Sequence, residues 1–237
     1  VSDGPLRVWY AAYGSNTHAE RLGYYLAGGR PPGAARVFPG CRDPRGPAAS
    51  VALLLPGCVY FATESSVWGG GRAFYDPAAD GTAWGVAYLL TAGQFSDIAA
   101  QEMYRPPGTD LDLTEVLATG RCSLGPGRYE TLVCCGFLDG AAGDGEGEGL
   151  PVLTFTAPAE GERSEPRPPS AAYLRHLAAG LQRTGAWRPD EVAGYLAGCP
   201  GAAGHWTPQA VADLSVPTAP TGPPGRPSRC RPGPRRS

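Results

Sequence analysis

The chain of 237 residues contains no lysine; all 20 of its basic side chains are arginine. Together with 35 glycines and 26 prolines, this bias points to a GC-rich coding sequence rather than to a surface built for phosphate. Histidine is scarce too. His18, His176 and His205 fall at no His-x-x-x-His or His-Glu-x-x-His spacing, so a hydrolytic metal site lacks ligands and no metal or other cofactor is expected. The seven cysteines include no Cys-x-x-Cys pair, and Cys134-Cys135 sits inside an apolar run. A zinc ribbon and a disulfide framework are therefore disfavoured, and free thiols are expected. The Gly-x-Ser-x-Gly elbow of a serine hydrolase is also missing. No apolar run is long enough to cross a bilayer, and no charged-then-apolar leader precedes the first apolar segment. These absences predict a cytoplasmic protein with no membrane contact.

Charge is present but unevenly placed. Residues 216–237 hold five arginines and no acid, which leaves 15 arginines against 22 acids in the remainder. An acidic body argues against nucleic-acid binding by the fold itself. Residues 1–215 are expected to form one domain, and residues 216–237 a disordered Pro/Arg-rich tail that buries too little apolar surface to fold.

The apolar run over residues 6–13 reads as a buried strand, followed by Tyr13-Gly14-Ser15-Asn16. Gly14 permits a sharp turn, Asn16 or Thr17 can cap a helix, and that helix stops at Gly28-Gly29. A strand delivering a short polar loop to a helix start gathers unpaired N–H groups, which suit an anion or a developing oxyanion. Residues 30–50 read as irregular. Strands are expected over residues 51–55, 58–62, 67–75, 82–90, 129–137 and 150–156. Helices are expected over residues 91–103, 170–184 and 190–197, with Ser170 and Asp190 as caps. The acidic, glycine-rich residues 139–149 read as a mobile hairpin insertion, since they lack the spaced carboxylates of a calcium loop. Many glycine-interrupted strands with few helices predict an α+β fold, a small mixed β-barrel flanked by helices.

Three further stretches follow the opening motif in order: Trp68-Gly69-Gly70-Gly71-Arg72-Ala73, then Trp84-Gly85-Val86 leading to Gln101-Glu102, then Pro169-Ser170-Ala171-Ala172-Tyr173. In this order they resemble the γ-glutamylcyclotransferase superfamily, over residues 8–196. Thr17 departs from the leucine that usually follows Asn in that family. The resemblance implies attack of the α-amine of a small γ-glutamyl amide on its own γ-carbonyl, giving 5-oxoproline and a free amine. It also implies Glu102 as the catalytic carboxylate and Tyr173 as a pocket residue. A carboxylate in an enclosed, partly apolar pocket can take the proton from the ammonium and return it to the leaving amine. Tyr13, Gly14, Ser15 and Asn16 would hold substrate and oxyanion. Glu64 is the rival carboxylate, Trp68 and Gly70 belong to the second motif, and Arg105 could bind a carboxylate. The composition favours an actinobacterial-type member working in specialised metabolism. The alternative is a non-catalytic module of the same fold that binds an amide or amino-acid-like ligand, or one with other amide chemistry.

Overall fold

The computed structural model describes residues 5–31, 36–127, 129–139, 149–157, 165–214 and 225–232. The elements in order are β1 (Arg7–Ala12), a 3-10 turn (Ser15–Thr17), α1 (Ala19–Ala27), β2 (Ala49–Pro56), β3 (Cys58–Glu64), β4 (Gly71–Asp76) and β5 (Thr82–Thr91). Then come α2 (Ala92–Glu102), α3 (Thr114–Thr119), β6 (Arg121–Ser123), β7 (Thr131–Leu138) and β8 (Leu150–Thr156). The chain finishes with α4 (Ala171–Gln182), α5 (Pro189–Gly198), α6 (Pro208–Leu214) and β9 (Ser228–Arg229). The fold is α+β, as expected. Residues 140–148, which make up most of the expected hairpin insertion, lie outside the described residues.

Seven strands pair in the order β6-β7-β8-β1-β5-β2-β9, while β3 and β4 form a separate hairpin. β1 is antiparallel to β5 and parallel to β8, so the sheet is mixed. Side chains alternate along β1. Trp9, Ala11 and Tyr13 pack with α4 and α5, and Val8, Tyr10 and Ala12 pack with α1 and α2. Helices on both faces explain why the central strands are almost continuously apolar. The hairpin is tied to β8 by one side chain, because Thr156 Oγ1 accepts from Tyr75 N at 3.0 Å and donates to Tyr75 O at 2.7 Å.

The C-terminal stretch set apart as a tail contributes to this sheet. Ser228 and Arg229 run parallel to Leu53 and Leu54 of β2. Two residues further on, Arg231 and Phe137 of β7 exchange backbone hydrogen bonds, both 2.9 Å. The pairings that start at β7 thus pass through β8, β1, β5, β2 and β9 and return to β7, forming a ring of strands. Gly136 makes the return possible. It sits at a register shift with φ +123°, and a Cβ there would lie 2.5 Å from the Arg231 carbonyl oxygen.

Two caps differ from expectation. His18, not Asn16 or Thr17, is the N-cap of α1, because residues 15–17 first make the 3-10 turn and the Asn16 side chain is used elsewhere. Arg188 stands at the N-cap of α5, with Pro189 opening the helix and Asp190 inside it. Ser170 does cap α4, its hydroxyl accepting from Tyr173 N. All seven cysteines are free thiols, Cys199 buried and the others half-buried. Among the described residues, no helix is long and apolar enough to cross a membrane.

Candidate active site

β1 ends where the sheet turns into Gly14, and the 3-10 turn then swings Asn16 inward. α2 is fixed at its start by a capping box between Thr91 and Gln94 and ends at Glu102. The two termini meet. Asn16 Nδ2 donates to Glu102 Oε1 at 3.2 Å and to Tyr10 Oη at 3.1 Å. The Tyr25 hydroxyl, on α1, is close enough for the charge of Glu102 to act on it. Asn16 is 3% exposed and Glu102 6%, so four polar side chains share a nearly dry site. A carboxylate oxygen only accepts, which fixes the Asn16 amide nitrogen toward Glu102. Its Oδ1 is then left buried, with no hydrogen-bond partner among the described residues. Such an orphaned acceptor costs about 1–3 kcal/mol until something donates to it.

The walls are aromatic. The Tyr10 ring packs against Phe95 and Phe155, with centroids at 5.8 and 5.4 Å. Burial, then the neighbouring charge of Glu102, pushes the Tyr10 and Tyr25 hydroxyls well above the ordinary phenol range, so both stay protonated. The first turn of the 3-10 segment leaves the amides of Ser15 and Asn16 with no acceptor inside the turn.

Other expected residues lie behind this turn. Tyr13 faces the opposite side of β1 from Tyr10, and its hydroxyl donates to Phe155 O at 2.8 Å. Tyr173 is stacked on Trp68 at 5.5 Å, and a Cβ on Gly14 would come within 3.3 Å of the Tyr173 hydroxyl. Gly70 and Gly71 serve packing. A Cβ on either would strike the backbone carbonyl of Pro168 or Arg167, at 2.5 and 2.0 Å. The Ser170 hydroxyl donates to Trp68 O at 2.7 Å, so the second and fourth motifs are two halves of one backbone crossing.

Glu64 and Arg105 are spent elsewhere. Glu64 is exposed, accepting from Gly70 N at 3.0 Å and pairing with Arg167. Arg105 donates to the carbonyls of Leu124 and Pro126, both at 2.9 Å. Sequence reading overlooked Tyr10 and Tyr25 because both look like ordinary core aromatics. The available signal for Tyr10 was its alternation with Trp9, which puts it on the strand face toward α2. A cavity of about 710 Å³ opens at the other end of β1, beside Arg7, Thr91 and Gln94.

No protein-family model matches the chain. Histone deacetylase 5 of Arabidopsis thaliana is 31% identical over 208 residues, which are 80% of this chain and 30% of that protein. The chain thus spans less than a third of that relative's length. Among solved structures, a gamma-glutamyl cyclotransferase superposes with a TM-score of 0.45 at 13% identity, covering 88% of this chain and 98% of that one. The uncharacterized protein loc79017 from Homo sapiens gives 0.45 at 17% identity, over 78% and 86% of the two chains. YkqA from Bacillus subtilis gives 0.37 at 19% identity, over 74% and 48%.

Proposed function

We propose that this chain is a γ-glutamylcyclotransferase-like enzyme that releases 5-oxoproline and a free amine from a small γ-glutamyl amide. The observation that carries the reading is the pairing of Glu102 with Asn16 in a nearly dry site, where the carboxylate and the orphaned Asn16 Oδ1 form two acceptors for one ammonium group. In this reading the substrate's α-ammonium donates to both, and Glu102 takes one proton. The freed amine attacks the γ-carbonyl carbon, and a new N–C bond closes a five-membered ring. The carbonyl oxygen carries the developing charge toward the amides of Ser15 and Asn16. Glu102 then gives its proton to the leaving nitrogen as the oxyanion collapses and the old C–N bond breaks. It takes up the second proton that the ring nitrogen sheds on becoming an amide and passes it to the freed amine, so no water is consumed. Holding both ends of the γ-glutamyl group folded supplies proximity, and proton transfer through Glu102 is worth about 10²–10⁴-fold. The four motifs in register support the same reading. Glu64 and Arg105 have no part in it.

The test is mass-spectrometric detection of 5-oxoproline from γ-glutamyl amino acids, γ-glutamyl amines and glutathione. Release by wild type, with loss of at least about 10²-fold in Glu102→Gln, is the expected result. A well-folded wild type that releases none from any of them overturns the proposal in favour of a ligand-binding module.

A further inference from the structure

The turn that carries Asn16 is held from behind by one face of α4. Tyr173, His176 and Gly180 lie three and four residues apart on that face. At Gly180 the helix touches the turn's backbone directly, since a Cβ there would lie 2.5 Å from Thr17 Oγ1 and 2.9 Å from His18 N. At His176 the contact is specific. Its Nε2 lies 2.9 Å from the Ser15 carbonyl oxygen. A carbonyl only accepts, so Nε2 must carry the proton. The ring cannot swing away easily, because it sits between His18 at 4.8 Å and Trp68 at 4.6 Å. Ser15 directly precedes Asn16, and Asn16 is the donor to Glu102.

We propose that His176 is a positioning residue of the candidate site: by donating to the Ser15 carbonyl it sets the Ser15–Thr17 turn so that the Asn16 side chain meets Glu102. The inference rests on the cyclotransferase reading for its kinetic consequence but not for its structural one. His176 touches no reacting atom in that scheme. Its effect passes through the backbone of residues 15 and 16, and a shift of the turn would misplace both the Asn16 side chain and the two amides facing the oxyanion. Burial, opposed first by the hydrogen bond to the Ser15 carbonyl, aided by the charges of His18 and Arg21 and opposed again by that of Glu20, holds the imidazole down to about 4. It therefore remains a neutral donor of fixed tautomer across the working pH range.

His176→Phe keeps a ring between Trp68 and His18 but removes the donor; His176→Gln keeps an N–H donor of similar reach. The Phe variant is expected to lose about tenfold in kcat for 5-oxoproline release with KM within about twofold, the scale of one hydrogen bond's worth of misplacement. It is also expected to exchange the Thr17 and His18 amides, which bond to the Gly14 and Ser15 carbonyls, faster. Gln is expected to recover most of both effects. The proposal is overturned if Phe matches wild type in kcat and in exchange, or if Gln is no better than Phe. A wild type that makes no 5-oxoproline would remove the cyclotransferase reading alone, and amide exchange in the two variants would still decide the role of His176.

Discussion

Asn16 is exacting about its replacements. Its amide nitrogen serves both Glu102 and Tyr10, so Asn16→Ala removes two contacts, one of them the hydrogen bond that Glu102 accepts. A loss of about 1–2 kcal/mol in unfolding free energy is expected from urea denaturation. Asn16→Asp is near-isosteric yet sets a second carboxylate beside a buried one, and a larger loss of about 3 kcal/mol is expected. Equal stabilities for the two variants would contradict the assigned hydrogen bond. His176 gives a pH prediction. Its folded pKa of about 4 lies below the ordinary 6.5, so the folded state binds its proton less readily than the unfolded state. The associated stability is present above about pH 6.5 and is lost as pH falls from there toward 4, by about 2–3 kcal/mol. Denaturation midpoints in His176→Gln should follow a shallower slope over that window. Glu102 and the Tyr13-Gly14-Ser15-Asn16 loop were legible in the sequence because motif order carries them. Tyr10 and Tyr25 were not, because a tyrosine in an apolar run reads the same whether its hydroxyl meets a carboxylate or a backbone carbonyl.

α4 acts as the back wall of the candidate site, and its sequence explains how. Gly180 allows helix and turn to touch, and any side chain there meets the Thr17 backbone. Gly180→Ala is therefore expected to destabilise the fold by about 1–3 kcal/mol despite the higher helix propensity of alanine. A neutral or stabilising effect in thermal unfolding would mean that the turn yields. The long elements were readable from periodicity: β1, β5, α2 and α4 stand close to their expected positions. The short ones, α3, β6, α6 and β9, escaped notice because they span seven residues or fewer and borrow their stability from neighbours. Misplaced caps have a local reason as well. Asn16 has the right chemistry for a helix start, but its side chain is claimed by Glu102 across 86 positions of sequence.

At the scale of the whole molecule, the sheet closes through residues that composition assigned to a solvated tail. Ser228 and Arg229 follow β2, and Arg231 pairs with β7, so eight described residues join the two ends of the ring. Pro/Arg density conceals such a segment, since a strand two residues long has no periodicity to read and its partners lie about 175 and 95 positions away in sequence. Removing residues 225–237 is expected to cost about 2–4 kcal/mol, a few backbone hydrogen bonds plus the apolar surface they cover. An unchanged denaturation midpoint would show that the seam contributes nothing to stability. The α+β class and the mixed sheet were legible from the count and spacing of strands. The closing pair was not, because it depends on which strands become neighbours. The central claim concerns the chemistry performed where β1, α1 and α2 meet, and turnover of a γ-glutamyl amide in H₂¹⁸O tests it most directly. Intramolecular attack predicts 5-oxoproline without ¹⁸O, one equivalent of free amine, and at least about 10²-fold slower formation by Glu102→Gln. Glutamate carrying ¹⁸O, or an ¹⁸O-free 5-oxoproline made equally well by the Gln variant, would contradict it.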